Sequence, residues 1–180
     1  MLKSKKNIFV ILFLIGIIIS PAFSHAADLS PADYKNLTKQ KVFEHIIYEF
    51  YANNTHGPEG VLGYQVDSFF NKNLYLAISI CGIVSGKQGG FGIVSGGLGL
   101  RYNLLNNLDF DSKFLVGSGG GGKVEGGGGF MFELLTGLSW QLIKNIYLDG
   151  KIGYLKFPTG KLETMTYTLG VSWFYEKIIL

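Results

Sequence analysis

A histidine within reach of a serine and a carboxylate is a minimal set for acyl chemistry, and this 180-residue chain offers two places to look. His45 stands four residues before Glu49, and His56 stands ahead of the pair Asp67-Ser68. On the strand pattern set out below, His56 falls in a loop at one end and Ser68 near the opposite end of the next strand. Ten or so extended residues separate them by about 30 Å, too far to share a proton. His45 with Glu49 supplies two metal ligands where a zinc site needs three or four. Gly117-Ser118-Gly119-Gly120-Gly121-Gly122-Lys123-Val124 approaches a phosphate-binding loop, but Val124 stands where a magnesium-binding hydroxyl is needed. The glycines Gly126 to Gly129 follow in place of a helix. Gly82-Ile83-Val84-Ser85-Gly86 and Gly92-Ile93-Val94-Ser95-Gly96 form a local repeat, not a nucleophile elbow, which needs a strand-to-helix turn. Cys81 lies in an apolar run with no basic neighbour to lower its pKa, so it reads as a packing residue. No cofactor or metal follows from these residues.

The remaining candidates are charges that share one face of their strands. Glu49, Asp67, Arg101, Asp109, Asp111, Lys113, Glu133, Asp149 and Lys151 recur at alternate positions beside Gly and Ser. Such a set is expected to form an internal charge network, since an isolated buried charge is costly.

Those positions need strands, and past residue 60 the pattern has a period of two. It predicts strands at about 61–70, 74–85, 91–103, 108–118, 129–141, 146–157 and 164–175. Connections at Asn71-Lys72-Asn73, Leu104 to Asn107 and Leu142 to Asn145 are short and carry asparagine, which tolerates the left-handed backbone of tight hairpins. Those at 86–90, 118–128 and 158–163 are longer, so short and long alternate. That is the plan of an antiparallel up-and-down transmembrane β-barrel. Seven strands are odd. The segment 41–52 therefore supplies the eighth at about 43–52, although Val42, Phe43, Ile46, Ile47, Phe50 and Tyr51 also form a helical stripe. An unpaired edge cannot stand in lipid, and this favours the strand.

Lys3, Lys5 and Lys6, the apolar run Ile8 to Ile19 and Ser24-His25-Ala26 read as a signal peptide cut before Ala27. The apolar run is too short to span a bilayer as a helix. The domain plan is then a signal peptide at 1–26, a periplasmic segment at 27–42 and a barrel at 43–180. Within the segment, Ser30-Pro31-Ala32-Asp33 starts a short helix at about 31–38. Removing the leader takes three lysines and no acid from 16 basic and 13 acidic residues. The 154 that remain balance at 13 and 13, which leaves no basic stripe for nucleic acid. A single cysteine excludes an internal disulfide.

The faces decide what surrounds the barrel. Leu108, Phe110, Phe114 and Val116 oppose Asp109, Asp111 and Lys113; Ile146, Leu148, Ile152 and Tyr154 oppose Asp149 and Lys151. An eight-stranded interior has little space for the bulky face, so that face is expected to meet lipid. Tyr102, Trp140, Trp173 and Tyr175 near strand ends would form an aromatic girdle. A filled interior leaves no channel. A soluble periplasmic barrel binding a small apolar ligand is the reading with the faces reversed.

Thr168-Leu169-Gly170-Val171-Ser172-Trp173-Phe174-Tyr175 resembles the C-terminal β-signal of Gram-negative outer-membrane proteins, with Thr168, Gly170, Trp173 and Tyr175 on the pattern. The chain resembles the small eight-stranded outer-membrane barrels of the OmpA-domain, OmpX and opacity-protein type, over about 43–175 as architecture and 168–175 as a motif. It departs from them in the residues Glu176 to Leu180 beyond the aromatic. The resemblance implies outer-membrane location, insertion by the barrel-assembly machinery, contact with outer-membrane lipid and a monomer. It implies no shared activity; for the chain itself a structural, envelope-maintaining or surface-interaction role is expected. Some barrels of this kind modify lipid A, but the deacylase type carries a late-strand histidine, and no histidine follows His56 here.

Overall fold

Residues that alternate large apolar with small or charged make strands, and asparagines and glycines turn them. The computed structural model describes residues 38–52, 58–86, 90–122 and 127–179. Eight strands follow in chain order: β1 (Thr38–Tyr51), β2 (Glu59–Phe69), β3 (Leu74–Ser85), β4 (Phe91–Leu105), β5 (Leu108–Gly121), β6 (Phe130–Ile143), β7 (Ile146–Lys156) and β8 (Glu163–Ile179). Each pairs antiparallel with its neighbours in sequence, and β1 pairs with β8, closing the barrel without a free edge.

The ambiguous segment 41–52 is therefore strand. Closure outweighs the helical stripe because β1 satisfies its backbone on both sides, against Ser68–Glu59 of β2 and Ile179–Thr166 of β8. The domain boundary at 43 needs correction: Thr38 to Val42, expected ahead of the barrel, already belong to β1. Likewise β8 runs past the expected end at 175 to Ile179. One cause explains both, since Thr38 to Lys41 pair with Ile179 to Glu176. These residues form a two-stranded ribbon beyond the reach of β2 and β7, whose ladders stop at Val42↔Ser68 and Ile146↔Trp173. Lys39 Nζ and Glu176 Oε2 pair at 3.1 Å on it. The expected helix at about 31–38 and the leader at 1–26 lie outside the described residues, apart from Thr38.

The short connections behave as their asparagines require. Asn145 takes φ 69°, the left-handed value its side chain tolerates. Asn71 Oδ1 accepts from the backbone amides of Asn73 and Leu74, both at 2.9 Å. The end carrying these three turns also carries the ribbon; we call it the turn end and the other the loop end.

The bulky face points outward. Leu105 and Leu169 are 66 % and 65 % exposed, and Ile78, Ile80, Leu98, Phe114, Leu134, Trp140 and Ile152 are exposed with them. Asp67, Asp111, Asp149 and Arg101 are buried within. A soluble barrel would reverse this arrangement, so the outer surface is built for hydrocarbon.

Candidate functional site: the sealed lumen

Of the nine charges expected inside, eight are buried in the lumen and Asp109 is partly buried beside Arg101; His45, expected inside with Glu49, is buried with them. They fall in two groups. Asp67, Asp111 and Asp149 form an acidic set facing Arg101, Lys113 and Lys151, with His45 wedged between two of the carboxylates. His45 Nδ1 lies 3.0 Å from Asp149 Oδ2, and Nε2 lies 2.9 Å from Asp67 Oδ2. Lys151 Nζ donates to Asp111 Oδ1 at 2.7 Å, and Lys113 Nζ stands 3.6 Å from Asp67. Neutral donors complete the shell: Gln65 Nε2 to Asp67 at 2.6 Å, the Tyr75 hydroxyl to Asp111 at 3.0 Å, and Ser139 to Asp149. Asp67, Asp111 and Asp149 thus each have a charged and a neutral partner, the condition under which burial is tolerated.

Arg101 solves its burial differently. Its nitrogens approach Asp109, Asp149 and Asp111 only at 3.5 to 3.8 Å, at ion-pair and not hydrogen-bond distance. Its guanidinium carbon lies 4.1 Å from the centroid of the Phe43 ring and 5.2 Å from that of Tyr147. A flat, weakly hydrated cation is suited to that stacked position. Glycine makes room nearby: a Cβ at Gly99 would strike the Tyr75 ring that holds Asp111. The second group is Glu49 and Glu133, held by Thr168 at 3.3 Å and Thr166 at 3.0 Å.

Two apolar layers close this polar interior, and neither was among the expectations above. At the turn end Phe43 packs on Phe69, Tyr147 and Phe174 with ring centroids 5.8, 5.2 and 5.3 Å away. The Lys41 ammonium caps those phenylalanines at 5.0 to 5.3 Å. At the loop end Tyr51, Val61, Phe91, Ile93, Met131, Leu155, Phe157 and Leu162 pack into one buried cluster. Cys81 leans on that cluster, its Sγ 3.2 Å from Ser79 Oγ, in the packing role expected of it.

On the outer face, Glu44 receives the Trp173 indole N–H at 3.1 Å and the Tyr175 hydroxyl at 2.7 Å. These ties cross the β1–β8 seam. They give two of the β-signal residues a partner in the folded barrel, while Thr168 turns inward to Glu49 and Gly170 faces Ile47 across the seam. Tyr102 and Trp140 stand exposed near the turn end.

The chemistry open to this interior is narrow. Both His45 nitrogens face carboxylates, and Ser172, its partner across the seam, is fully buried. His56 lies outside the described residues. Among the described residues no three potential ligands gather for a metal. Gly117 to Gly121 of the loop-like motif lie in β5, paired with Ser95 to Phe91 of β4, so their amides belong to a ladder. The motif's Lys123 and Val124 lie outside the described residues.

A closed antiparallel eight-stranded barrel, apolar without and ion-paired within, is the fold of the small outer-membrane β-barrels. No protein-family model matches the sequence, and neither does any curated protein. Among solved structures it is similar to the N-terminal barrel domain of Pseudomonas aeruginosa OprF, at 13 % identity and a TM-score of 0.54, covering 77 % of this chain and all of that one. It is similar to the Yersinia pestis outer membrane protein Ail in a phospholipid nanodisc, at 14 % identity and 0.53, with 77 % and 100 % covered. A de novo designed transmembrane β-barrel matches at 12 % identity and 0.54, with 76 % and 95 % covered. Likeness at that identity is likeness of fold.

Proposed function

We propose that this chain is exported through a cleaved leader and serves as a monomeric structural barrel of the outer membrane. Its work is envelope maintenance or surface interaction, done by the outer wall and rims. The turn end faces the periplasm, the loop end faces the exterior, and the barrel-assembly machinery inserts it through the β8 signal. The observation that carries this reading is the double closure of the lumen. Among the described residues, an apolar layer at each end and an interlocked charge belt between them leave no path for ions and no entrance for a substrate.

Three measurements test it. The protein purified from membranes begins at Ala27 and migrates differently before and after boiling; identical migration overturns the barrel. In planar bilayers it gives no discrete conductance steps, and regular steps would make it a channel. Lipid A from a deletion strain matches that of its parent by mass spectrometry. A changed profile, restored by the native chain but not by His45 or His56 variants, would make it an enzyme.

A further inference from the structure

The hydrophobic surface does not stop where the aromatic girdle says it should. Tyr102 and Trp140 mark the interface, yet two and three residues beyond them stand Leu104 and Leu105 on one turn and Leu142 and Ile143 on another. Leu105 and Ile143 are 66 % and 63 % exposed, and Phe70 on the third turn is 60 % exposed. These side chains reach roughly 7–10 Å past the girdle. In two of the three turns a lysine follows at once or one residue on, Lys144 after Ile143 and Lys72 after Phe70-Asn71, and both are exposed. The ribbon repeats the theme, with Ile178 beside Lys177.

The acids at this end are already engaged. Glu176 pairs with Lys39, Asp109 with Arg101, and Glu44 with Trp173 and Tyr175. Among the described residues, Lys72, Lys144 and Lys177 have no ion-pair partner. Among the described residues, the turn end therefore offers three ammonium groups without an ion-pair partner next to exposed apolar side chains. A greasy residue beside a free lysine suits the boundary where acyl chains give way to phosphates, with the ammonium reaching outward.

We propose that the turn end is a lipid-binding rim that takes the phosphate headgroups of anionic phospholipid in the surrounding leaflet. This rests on the membrane orientation given above. Lipid is favoured over a protein partner by placement. The three turns join β2–β3, β4–β5 and β6–β7, and the ribbon is β8–β1, so the exposed apolar side chains ring the barrel, and a lysine accompanies them at three of these four places, all but β4–β5. A protein docking on one side would need it gathered on one side; a leaflet surrounds the barrel.

The test uses the full chain in vesicles of phosphatidylcholine doped with a minority of phosphatidylglycerol, extracted with a membrane-solubilising copolymer. Lipid carried with the native protein is expected to be enriched in phosphatidylglycerol over the bulk vesicle. Lys72→Gln, Lys144→Gln and Lys177→Gln together are expected to remove the enrichment, each contributing up to about fivefold. Lys156→Gln, at the loop end, is expected to leave it intact. Migration before and after boiling, read on every sample, reports the barrel separately: loss of that shift in the native protein would sink the structural reading itself. A folded barrel with an unenriched lipid shell, or with enrichment indifferent to the triple variant, overturns the inference. The rim then belongs to a protein, seen as protection of Lys72 and Lys144 from amine-reactive label in cell envelopes but not in vesicles.

Discussion

Removing one member of the charge belt exposes what the others were doing. His45→Ala leaves Asp67 and Asp149 facing each other's region of the lumen without the ring between them. It is expected to cost about 3–5 kcal/mol, the penalty for breaking a buried pair from one side. The boiling-dependent gel shift, followed against temperature, should show its midpoint fall; an unchanged midpoint would mean the belt contributes nothing. Gly99→Ala acts through a neighbour, since its methyl displaces Tyr75 from Asp111, and is expected to cost about 1–3 kcal/mol by overpacking. Gly120→Ala, whose Cβ meets nothing, is its neutral control. At this scale the sequence was readable in part. Alternation puts Asp109, Asp111 and Lys113 on one face whatever the partners. That His45 would meet Asp149, 104 residues away, depends on register, and register is fixed by closure of the whole ladder.

Strands announced themselves through their turns, and their ends were where reading failed. Thr38-Lys39-Gln40-Lys41 carries no bulky alternation, so nothing local marks it as strand; it is held by its pairing with Glu176 to Ile179. The apolar layers were missed for a related reason. Tyr147 shares its face with Asp149 and Lys151, and Phe91 and Ile93 share theirs with Ser95, so the parity pointed inward all along. The expectation that large side chains face lipid overrode it at strand ends, where the lumen needs stoppers. The seam is the element with the most distinctive chemistry. Trp173→Phe and Tyr175→Phe each delete one donor to Glu44, and each is expected to lower stability by about 1–2 kcal/mol. In a double-mutant cycle, Glu44→Ala should abolish the cost of Tyr175→Phe. If Tyr175→Phe costs the same with the Glu44 carboxylate absent, the two side chains do not act together.

For the molecule as a whole, sealing predicts silence in electrical recordings and also a way to break it. Replacing Met131, Leu155 and Phe157 with glycine would remove much of the loop-end stopper. The ion-paired belt should still block conductance, because it fills the next layer down. Conductance appearing in that triple variant would show that the apolar layer alone closes the lumen. The ribbon carries one more consequence. Thr38 and Ile179 face each other at one end of a single antiparallel ladder, which runs on to Tyr51↔Thr166. Tension applied between those two residues is therefore borne by one pair of hydrogen bonds at a time, starting at the ribbon. Pulled there, the barrel should open like a zip at low force, and pulled from opposite rims it should resist as a sheared sheet.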